Sequence, residues 1–138
     1  KNVVAVKEYD KIALYVNDGN KDFSIPFSLG EKKINNTIIN IEKLSSLDVD
    51  LKSGLFADYV KIPKTAVIRN KRDGDTFTKF GGGTKSLGDF LTDKKIPLMK
   101  RNTIPLLAFE NDVLVIFGIA VSDKIKVDEN TKEIIKLQ

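Results

Sequence analysis

The sequence has 138 residues, of which 41% are hydrophobic and 30% are charged, and its formal net charge is +4. This balance is typical of a soluble globular chain with a modest core and excludes a disordered one. The chain has no cysteine and no histidine, which excludes disulfides and thiolate zinc sites and removes the most common general base. The longest apolar run, residues 113–117, is too short to cross a bilayer. We therefore expect a cytoplasmic protein with no membrane partner and no metal.

The first half of the chain predicts a series of short strands, at residues 3–6, 12–16, 23–27 and 34–44. The third of these contains a proline, which favours the edge of a sheet. The fourth is rich in β-branched residues, which favours one longer strand. Residues 17–20, Asn-Asp-Gly-Asn, form a strong turn signal because Gly and Asn accept positive φ at little cost.

The composition changes near Pro63, and we expect a domain boundary between residues 1–63 and residues 64–138. Just after this boundary, residues 65–69 have the pattern of a strand. Residues 72–75, Arg-Asp-Gly-Asp, then predict a tight turn.

One amphipathic helix is predicted after a glycine-rich loop. Leu87, Phe90 and Leu91 recur at the i, i+3, i+4 spacing of one helix face. Thr84 is a plausible N-cap for this helix, and Pro97 is expected to end it.

The last third of the chain again favours strands. Residues 104–108 and 113–117 flank a polar turn and predict a hairpin, and residues 125–127 and 133–137 would add closing strands. The predicted fold class is mainly β with one or two short helices.

Basic residues are concentrated in the middle of the chain. From Lys61 to Thr103 there are 11 Lys and Arg residues against 4 Asp and Glu residues. The remainder of the chain has 12 basic and 15 acidic residues. This distribution favours an anion-binding surface, although a solvated lysine-rich surface would explain the charge equally well.

The predicted strand and turn at residues 65–75 carry the first group of candidate binding residues. Arg69 and Lys71 would share one face of a strand, because side chains alternate, and Arg72 would begin the turn. Asp73 or Asp75 would orient Arg72. Arginine forks suit phosphate oxygens, since two parallel N–H bonds fix direction as well as charge. The alternative is a strand edge protected by charges.

A triple-glycine loop precedes the predicted helix. Glycines permit close backbone approach, and the N–H groups at a helix N-terminus attract an anion. The spacing of a nucleotide P-loop is absent, and a flexible connector is the more common explanation for such a loop. The candidate phosphate-loop residues are Gly81, Gly82, Gly83 and Thr84, flanked by Lys79 and Lys85.

Further basic residues follow the predicted helix, namely Lys94, Lys95 and then Arg101. Lysines near a helix C-terminus are favoured by the helix dipole without any function. Asp89 and Asp93 lie four residues apart on one helix face. No nucleophile or metal ligand accompanies these carboxylates, so we interpret them as structural.

The order of these motifs resembles the C-terminal region of the bacterial tRNA(Ile)-lysidine synthetases. The resemblance rests on Arg69-x-x-Arg72-x-Gly74-Asp75, on Lys85-x-x-x-Asp89-Phe90, on D-K-K-I-P at residues 93–97 and on R-x-x-I-P-L-L at residues 101–107. The resemblance to the family extends over about residues 59–125. Residues 1–63 look like the β-rich end of a preceding substrate-binding domain, and residues 64–138 like the C-terminal tRNA-binding domain.

The resemblance implies a fold, an activity and partners. The fold would be a β-sandwich-like module similar to a domain of the phenylalanyl-tRNA synthetase β subunit. The full enzymes are ligases that use ATP to attach lysine to the wobble cytidine of tRNA(Ile) with a CAU anticodon. Their catalytic domain carries a Ser-Gly-Gly-x-Asp-Ser pyrophosphate loop, which this sequence lacks.

We therefore expect an excised, non-catalytic fragment that needs no cofactor, since ATP and lysine are substrates of the full enzyme. Its expected partners are tRNA(Ile) and the missing N-terminal catalytic domain. The resemblance implies RNA contacts, and charge and proximity extend the set. From the family motif come Arg69, Arg72, Lys85, Lys94, Lys95 and Arg101, and Lys71 and Lys79 are added by position.

The expected mechanism is neutralisation of phosphates on an A-form stem. Few aromatic residues accompany the basic ones, which argues against stacking on a single strand as the main mode. Two alternatives remain open. One is a β-rich protein-interaction module with a solvated basic face, and the other is a small nucleotide-binding enzyme that uses the triple-glycine loop.

Overall fold

The computed structural model describes residues 3–8, 11–16, 22–34 and 36–138, and it describes side chains from residue 22 onward. At the start of the chain, β1 (Val3–Glu8) and β2 (Lys11–Val16) form an antiparallel pair. Both confirm the strands predicted there. The turn predicted at residues 17–20 lies outside the described residues.

The larger sheet has seven strands, and the order of six of them is β3-β7-β10-β11-β8-β9, with β12 paired to β11. The pairs are antiparallel except for β11 and β8, which are parallel. The strand with a proline, β3, lies at the edge, as predicted. The bounds are β3 (Ser24–Pro26), β7 (Val67–Arg69), β8 (Thr76–Thr78), β9 (Thr84–Ser86), β10 (Leu106–Phe109), β11 (Asp112–Ile116) and β12 (Ala120–Val121).

The smaller sheet has four antiparallel strands in the order β4-β5-β13-β6. The bounds are β4 (Gly30–Ile34), β5 (Thr37–Lys43), β6 (Leu55–Asp58) and β13 (Ile134–Leu137). The single strand predicted for residues 34–44 is β5 alone, since Ile34 ends β4. The strand predicted at residues 133–137 is confirmed by β13.

Helical structure in the described residues is confined to short segments. Two are α-helices, α1 (Leu87–Asp93) and α2 (Leu98–Arg101), and two are 3-10 helices, Tyr59–Lys61 and Asp123–Ile125. The strand predicted at residues 125–127 does not form, since Ile125 ends the second 3-10 helix and residues 126 and 127 lie in neither a helix nor a strand. The Ser122 side chain caps this 3-10 helix by accepting a hydrogen bond from the Lys124 N–H, which favours a helical turn over an extended segment. The fold class, mainly β with short helices, is confirmed.

Both sheets contain strands from either side of the expected boundary at residue 64. In the larger sheet β3 pairs with β7, and in the smaller sheet β13 pairs with β5 and β6. Backbone hydrogen bonds therefore join residues 22–63 to residues 64–138. The assignment of residues 1–63 to a preceding domain stays a prediction, but the sheets show no break at this position.

The buried apolar residues form two clusters on opposite faces of the larger sheet. The first lies between the two sheets, where Ile39 and Ile135 of the smaller sheet meet Ile68 of the larger one. The second lies under α1, where Phe77 packs against Phe90 with ring centroids 4.5 Å apart. Adjacent residues of β10, Leu106 and Leu107, belong to different clusters, because strand side chains alternate.

The N-cap of α1 lies two residues after the expected one. The hydroxyl of Ser86 accepts a hydrogen bond from the Asp89 N–H, so Ser86 is the N-cap. Thr84 lies in β9, and its hydroxyl is 2.8 Å from that of Thr78 across the strand pair. Leu87, Phe90 and Leu91 are buried as predicted. The helix ends at Asp93, before Pro97, which is the N-cap of α2.

Candidate nucleic-acid interface

Arg69, the first predicted RNA contact, is buried, and its side chain binds other groups of the chain. Its side chain is 1% exposed and forms a two-pronged ion pair with Asp75, with Nη1–Oδ2 and Nη2–Oδ1 distances of 2.9 and 2.7 Å. The guanidinium also donates to the carbonyls of Asn70 and Glu110, at 3.0 and 2.8 Å. Both terminal nitrogens of the guanidinium are therefore used within the fold, and the structure gives Arg69 a structural role. Its predicted contact with RNA stays a prediction.

Asp75 organises the turn around this ion pair. Burial raises the pKa of the Asp75 carboxyl, but hydrogen bonds from Arg69, from the Arg72 backbone N–H and from Asn111 hold the pKa below its usual value. Gly74 has a φ of 86°, a conformation that favours glycine. The motif Arg-x-x-Arg-x-Gly-Asp is thereby explained as a structural unit, in which Asp75 orients Arg69 and the backbone of Arg72.

The Arg72 side chain is exposed, and Lys71 is half-buried beside it. Strand β7 ends at Arg69, so Lys71 does not share a strand face with it as predicted. Lys71 and Arg72 line a shallow hollow of about 320 Å³ together with Ser86 and Gly88 at the start of α1. Both side chains remain candidates for a phosphate contact.

Arg101, the last residue of α2, forms hydrogen bonds with residues of α1. Its Nε and Nη2 donate to the Ile96 carbonyl at 3.0 and 2.9 Å, and Nη2 also donates to the Thr92 hydroxyl at 3.1 Å. Its Nη1 donates to the Gly88 carbonyl at 3.3 Å. The three nitrogens of the guanidinium therefore bind groups of the chain itself, which gives Arg101 a structural role. Its predicted RNA contact stays a prediction.

The triple-glycine loop connects β8 to β9 as a hairpin loop. The N–H of Gly82 donates to the Lys79 carbonyl, and the N–H of Gly81 donates to the Asp123 carboxylate at 3.3 Å. A carboxylate therefore already lies where an anion was expected. This geometry does not favour the predicted phosphate loop of Gly81, Gly82, Gly83 and Thr84, because β9 separates the glycines from α1 and the Gly81 N–H already donates to a carboxylate. The phosphate site stays a prediction.

Three predicted lysines come together around one carboxylate at the end of α1. Lys85 on β9 forms an ion pair with Asp93, at an Nζ–Oδ2 distance of 2.5 Å. That hydrogen bond, followed by the charges of Lys79 and Lys94 nearby, lowers the pKa of the Asp93 carboxyl. We call Lys79, Lys85 and Lys94 the lysine cluster. With three positive charges and one negative charge, its local balance is positive.

Lys94 and Lys95 follow the last residue of α1 and are exposed. The Lys94 ammonium lies over the Phe90 ring, 5.5 Å from its centroid. Lys95 has a φ of 60°, which turns the chain sharply out of the helix. This turn projects the two consecutive lysines from the end of α1 into solvent.

A hollow lined mainly by apolar groups adjoins the lysine cluster, and we call it the aromatic hollow. Its volume is about 470 Å³, and Lys79 and Lys94 line it. Its other side includes Phe56 and Lys126, which lie outside the basic middle segment and are not among the predicted site residues. No local pattern signals these two residues, because they reach the hollow only through the pairing of distant strands.

Within the described part of the chain, no group of three or more Asp and Glu residues could hold a metal ion. Among the same residues, no helix is long and apolar enough to span a membrane.

Comparison with known proteins shows several relatives. The chain is 34% identical over 125 residues to a protein named tRNA(Ile)-lysidine synthase from Clostridium tetani, an alignment that covers 86% of this chain and 27% of that protein. It is 32% identical over 148 residues to the protein of the same name from Clostridium acetobutylicum, covering 99% and 32% of the two chains. The chain thus spans between a quarter and a third of the length of these relatives.

A solved structure of the TILS C-terminal domain has the same fold, with a TM-score of 0.70 at 20% identity, covering 86% of this chain and 97% of that one. The family described as "TilS substrate C-terminal domain" matches residues 66–137, which include β7 to β13, both α-helices and the lysine cluster. These matches confirm the resemblance found in the sequence, and the chain belongs to the TilS C-terminal domain family.

Proposed function

We propose that this chain is the RNA-binding part of a tRNA(Ile)-lysidine synthetase. In the whole protein, ATP would drive the attachment of lysine to the wobble cytidine of tRNA(Ile) with a CAU anticodon. This part would bind the tRNA and leave the chemistry to a catalytic domain elsewhere in the protein. Family membership and the names of the relatives support the proposal.

The lysine cluster is the observation that carries the proposal. Lys79, Lys85 and Lys94 come from a hairpin loop, a strand and a helix end. Lys85 is paired with Asp93, and the charges of Lys79 and Lys94 also act on that carboxylate. Such a convergence creates a local positive potential that phosphates of RNA would neutralise. Lysine suits this role, since its compact ammonium moves on a flexible stem and needs no fixed geometry.

Basic residues at both ends of α1 extend the charged surface. Arg72 and Lys71 line the hollow at the start of the helix, while Lys94 and Lys95 follow its end. A helix of seven residues is about 10 Å long at 1.5 Å per residue. Both ends of α1 would therefore touch one RNA backbone, with little reading of base edges.

The affinity for tRNA at different salt concentrations tests this proposal. Replacing Lys79 and Lys94 together by alanine should weaken binding of the 138-residue chain to a tRNA transcript. It should also flatten the plot of log affinity against log salt by about 0.9 for each duplex phosphate that the variant no longer neutralises. The matched control replaces the exposed residues Lys33, in β4, and Lys132, just before β13, both at the smaller sheet, and should leave the slope unchanged. Equal effects of the two double variants would contradict the proposal.

A second candidate, a protein-interaction module, is favoured by one observation on α2. Leu98 and Met99 are 78% and 59% exposed, and neighbouring exposed apolar side chains mark contact sites more often than isolated ones do. If this candidate is correct, tRNA binding will show no dependence on the lysine cluster. Serine at both positions will then abolish association with the separately produced catalytic domain.

A further inference from the structure

The aromatic hollow combines two kinds of surface that seldom occur together. Its floor includes the rings of Phe77 and Phe90, which are 1% and 5% exposed and tilted 48° to each other. Its rim carries lysine side chains. At about 470 Å³ it lies in the range of small-ligand sites, roughly 300–1,000 Å³.

Phe80 stands at the mouth of this hollow, on the triple-glycine loop. Its side chain is 61% exposed, although an aromatic ring gains most from burial. Gly81 and Gly82 follow it with φ values of 98° and 89°, conformations that other residues rarely adopt. The glycines therefore permit the tight loop that presents Phe80, which gives the triple-glycine motif a role other than the phosphate loop expected from the sequence.

The charges at the rim favour an anionic ligand. Of the lysines that line the hollow, Lys126 is paired with Asp123 at 3.0 Å. Among residues 22–34 and 36–138, no carboxylate lies within ion-pair distance of Lys79 or Lys94. Two lysines at the mouth of an aromatic hollow thus remain available to a ligand.

From this geometry we propose that the aromatic hollow receives a single unpaired nucleotide of RNA, with its base against Phe80 and the apolar floor and its phosphate between Lys79 and Lys94. The inference rests on the proposed RNA-binding function and adds a ligand class to it. A base fits this chemistry because its flat faces are apolar, while its phosphate requires cations. Stacking tolerates every base, so the hollow should distinguish unpaired from paired nucleotides more than one base from another.

The experiment compares two RNA hairpins that differ only by one bulged nucleotide. The chain should bind the bulged hairpin about tenfold more tightly, the order expected for one stacked base. With 2-aminopurine at the bulge, binding should quench its fluorescence, as stacking does. Phe80→Ala should remove both effects, and Phe80→Trp should retain them. The thermal midpoint of each variant should stay near that of the wild type, because the side chain is exposed.

The outcomes separate this inference from the function it rests on. If the chain binds neither hairpin, the proposed RNA-binding function fails. If it binds both hairpins equally, or if Phe80→Ala weakens both equally, RNA binding stands and the hollow does not receive a nucleotide. Competition by free AMP at the concentration of the bulged RNA would also overturn the inference, since the hollow would then take free nucleotides. Phe80→Ala that removes only the preference for the bulge would support it.

Discussion

Two ion pairs flank β8 in the chain, Arg69–Asp75 before it and Lys85–Asp93 after it, and they differ in burial. The Arg69–Asp75 pair is buried, with both side chains 1% exposed, whereas the side chains of Lys85 and Asp93 are 32% and 57% exposed. In the first pair every contact is internal. In the second, water and ligands reach both partners. Burial therefore confines Arg69 to a role in the fold, whereas the lysine cluster stays accessible to a ligand, which we propose is an RNA backbone.

The largest expected effect comes from breaking the buried pair. Arg69→Met keeps much of the side-chain volume but leaves Asp75 as an uncompensated buried charge, which should cost about 3–5 kcal/mol in the free energy of unfolding. Urea denaturation measures this loss. Arg72→Met is the matched control on the exposed neighbour, and it should change the same quantity by less than about 0.5 kcal/mol. Similar losses for both variants would mean that burial does not distinguish the two arginines.

A smaller loss of stability is expected at the second structural arginine. Arg101→Ala removes hydrogen bonds to the Ile96 and Gly88 carbonyls, and it should lower the free energy of unfolding by about 1–3 kcal/mol. The adjacent exposed Lys100→Ala serves as the control in the same denaturation experiment. If Arg101→Ala instead leaves stability intact and weakens RNA binding, Arg101 belongs with the lysines.

Acid should lower the free energy of unfolding by protonating Asp75 in the buried pair. Because the folded-state pKa of Asp75 lies below its usual value, its carboxylate stabilises the fold above the unfolded-state pKa of about 4. That stabilisation is lost as the pH falls through the folded-state pKa. Urea denaturation between neutral and acidic pH should show the loss even in high salt, since buried pairs are screened less. Asp75→Asn should show a smaller acid-induced loss, and an unchanged one would exclude Asp75 as the cause.

Local sequence patterns predicted the elements but not which charges are buried. The hairpin of β10 and β11 and the buried face of α1 follow from the alternation and spacing of apolar residues such as Leu107, Val113 and Phe90. Arg69 follows Ile68 in β7, so alternation places them on opposite faces. Only the sheet order shows that β7 lies between β3 and β10 and that both residues are buried.

The sequence also indicates part of the candidate site. Lys79, Lys85 and Lys94 are candidates because they lie close together in the sequence, whereas the pattern around Asp93 favours a structural role for it. The aromatic hollow could not be found in this way, since Phe56 and Lys126 lie far from Phe80 in the chain. Two hydroxyl residues near α1, Thr84 and Ser86, offer equivalent local signals for an N-cap, and only the extent of β9 decides between them.

Removing the carboxylate of the exposed pair tests the comparison most directly. Asp93→Asn deletes the one negative charge of the lysine cluster at a helix C-terminus, where an anion is unfavourable, so the fold should not suffer. Affinity for tRNA should rise about threefold, the Coulomb contribution of one charge several ångströms from a phosphate in water. The gain should shrink as salt is added. An unchanged or reduced affinity at low salt, with stability intact, would contradict the claim that this cluster holds the RNA backbone.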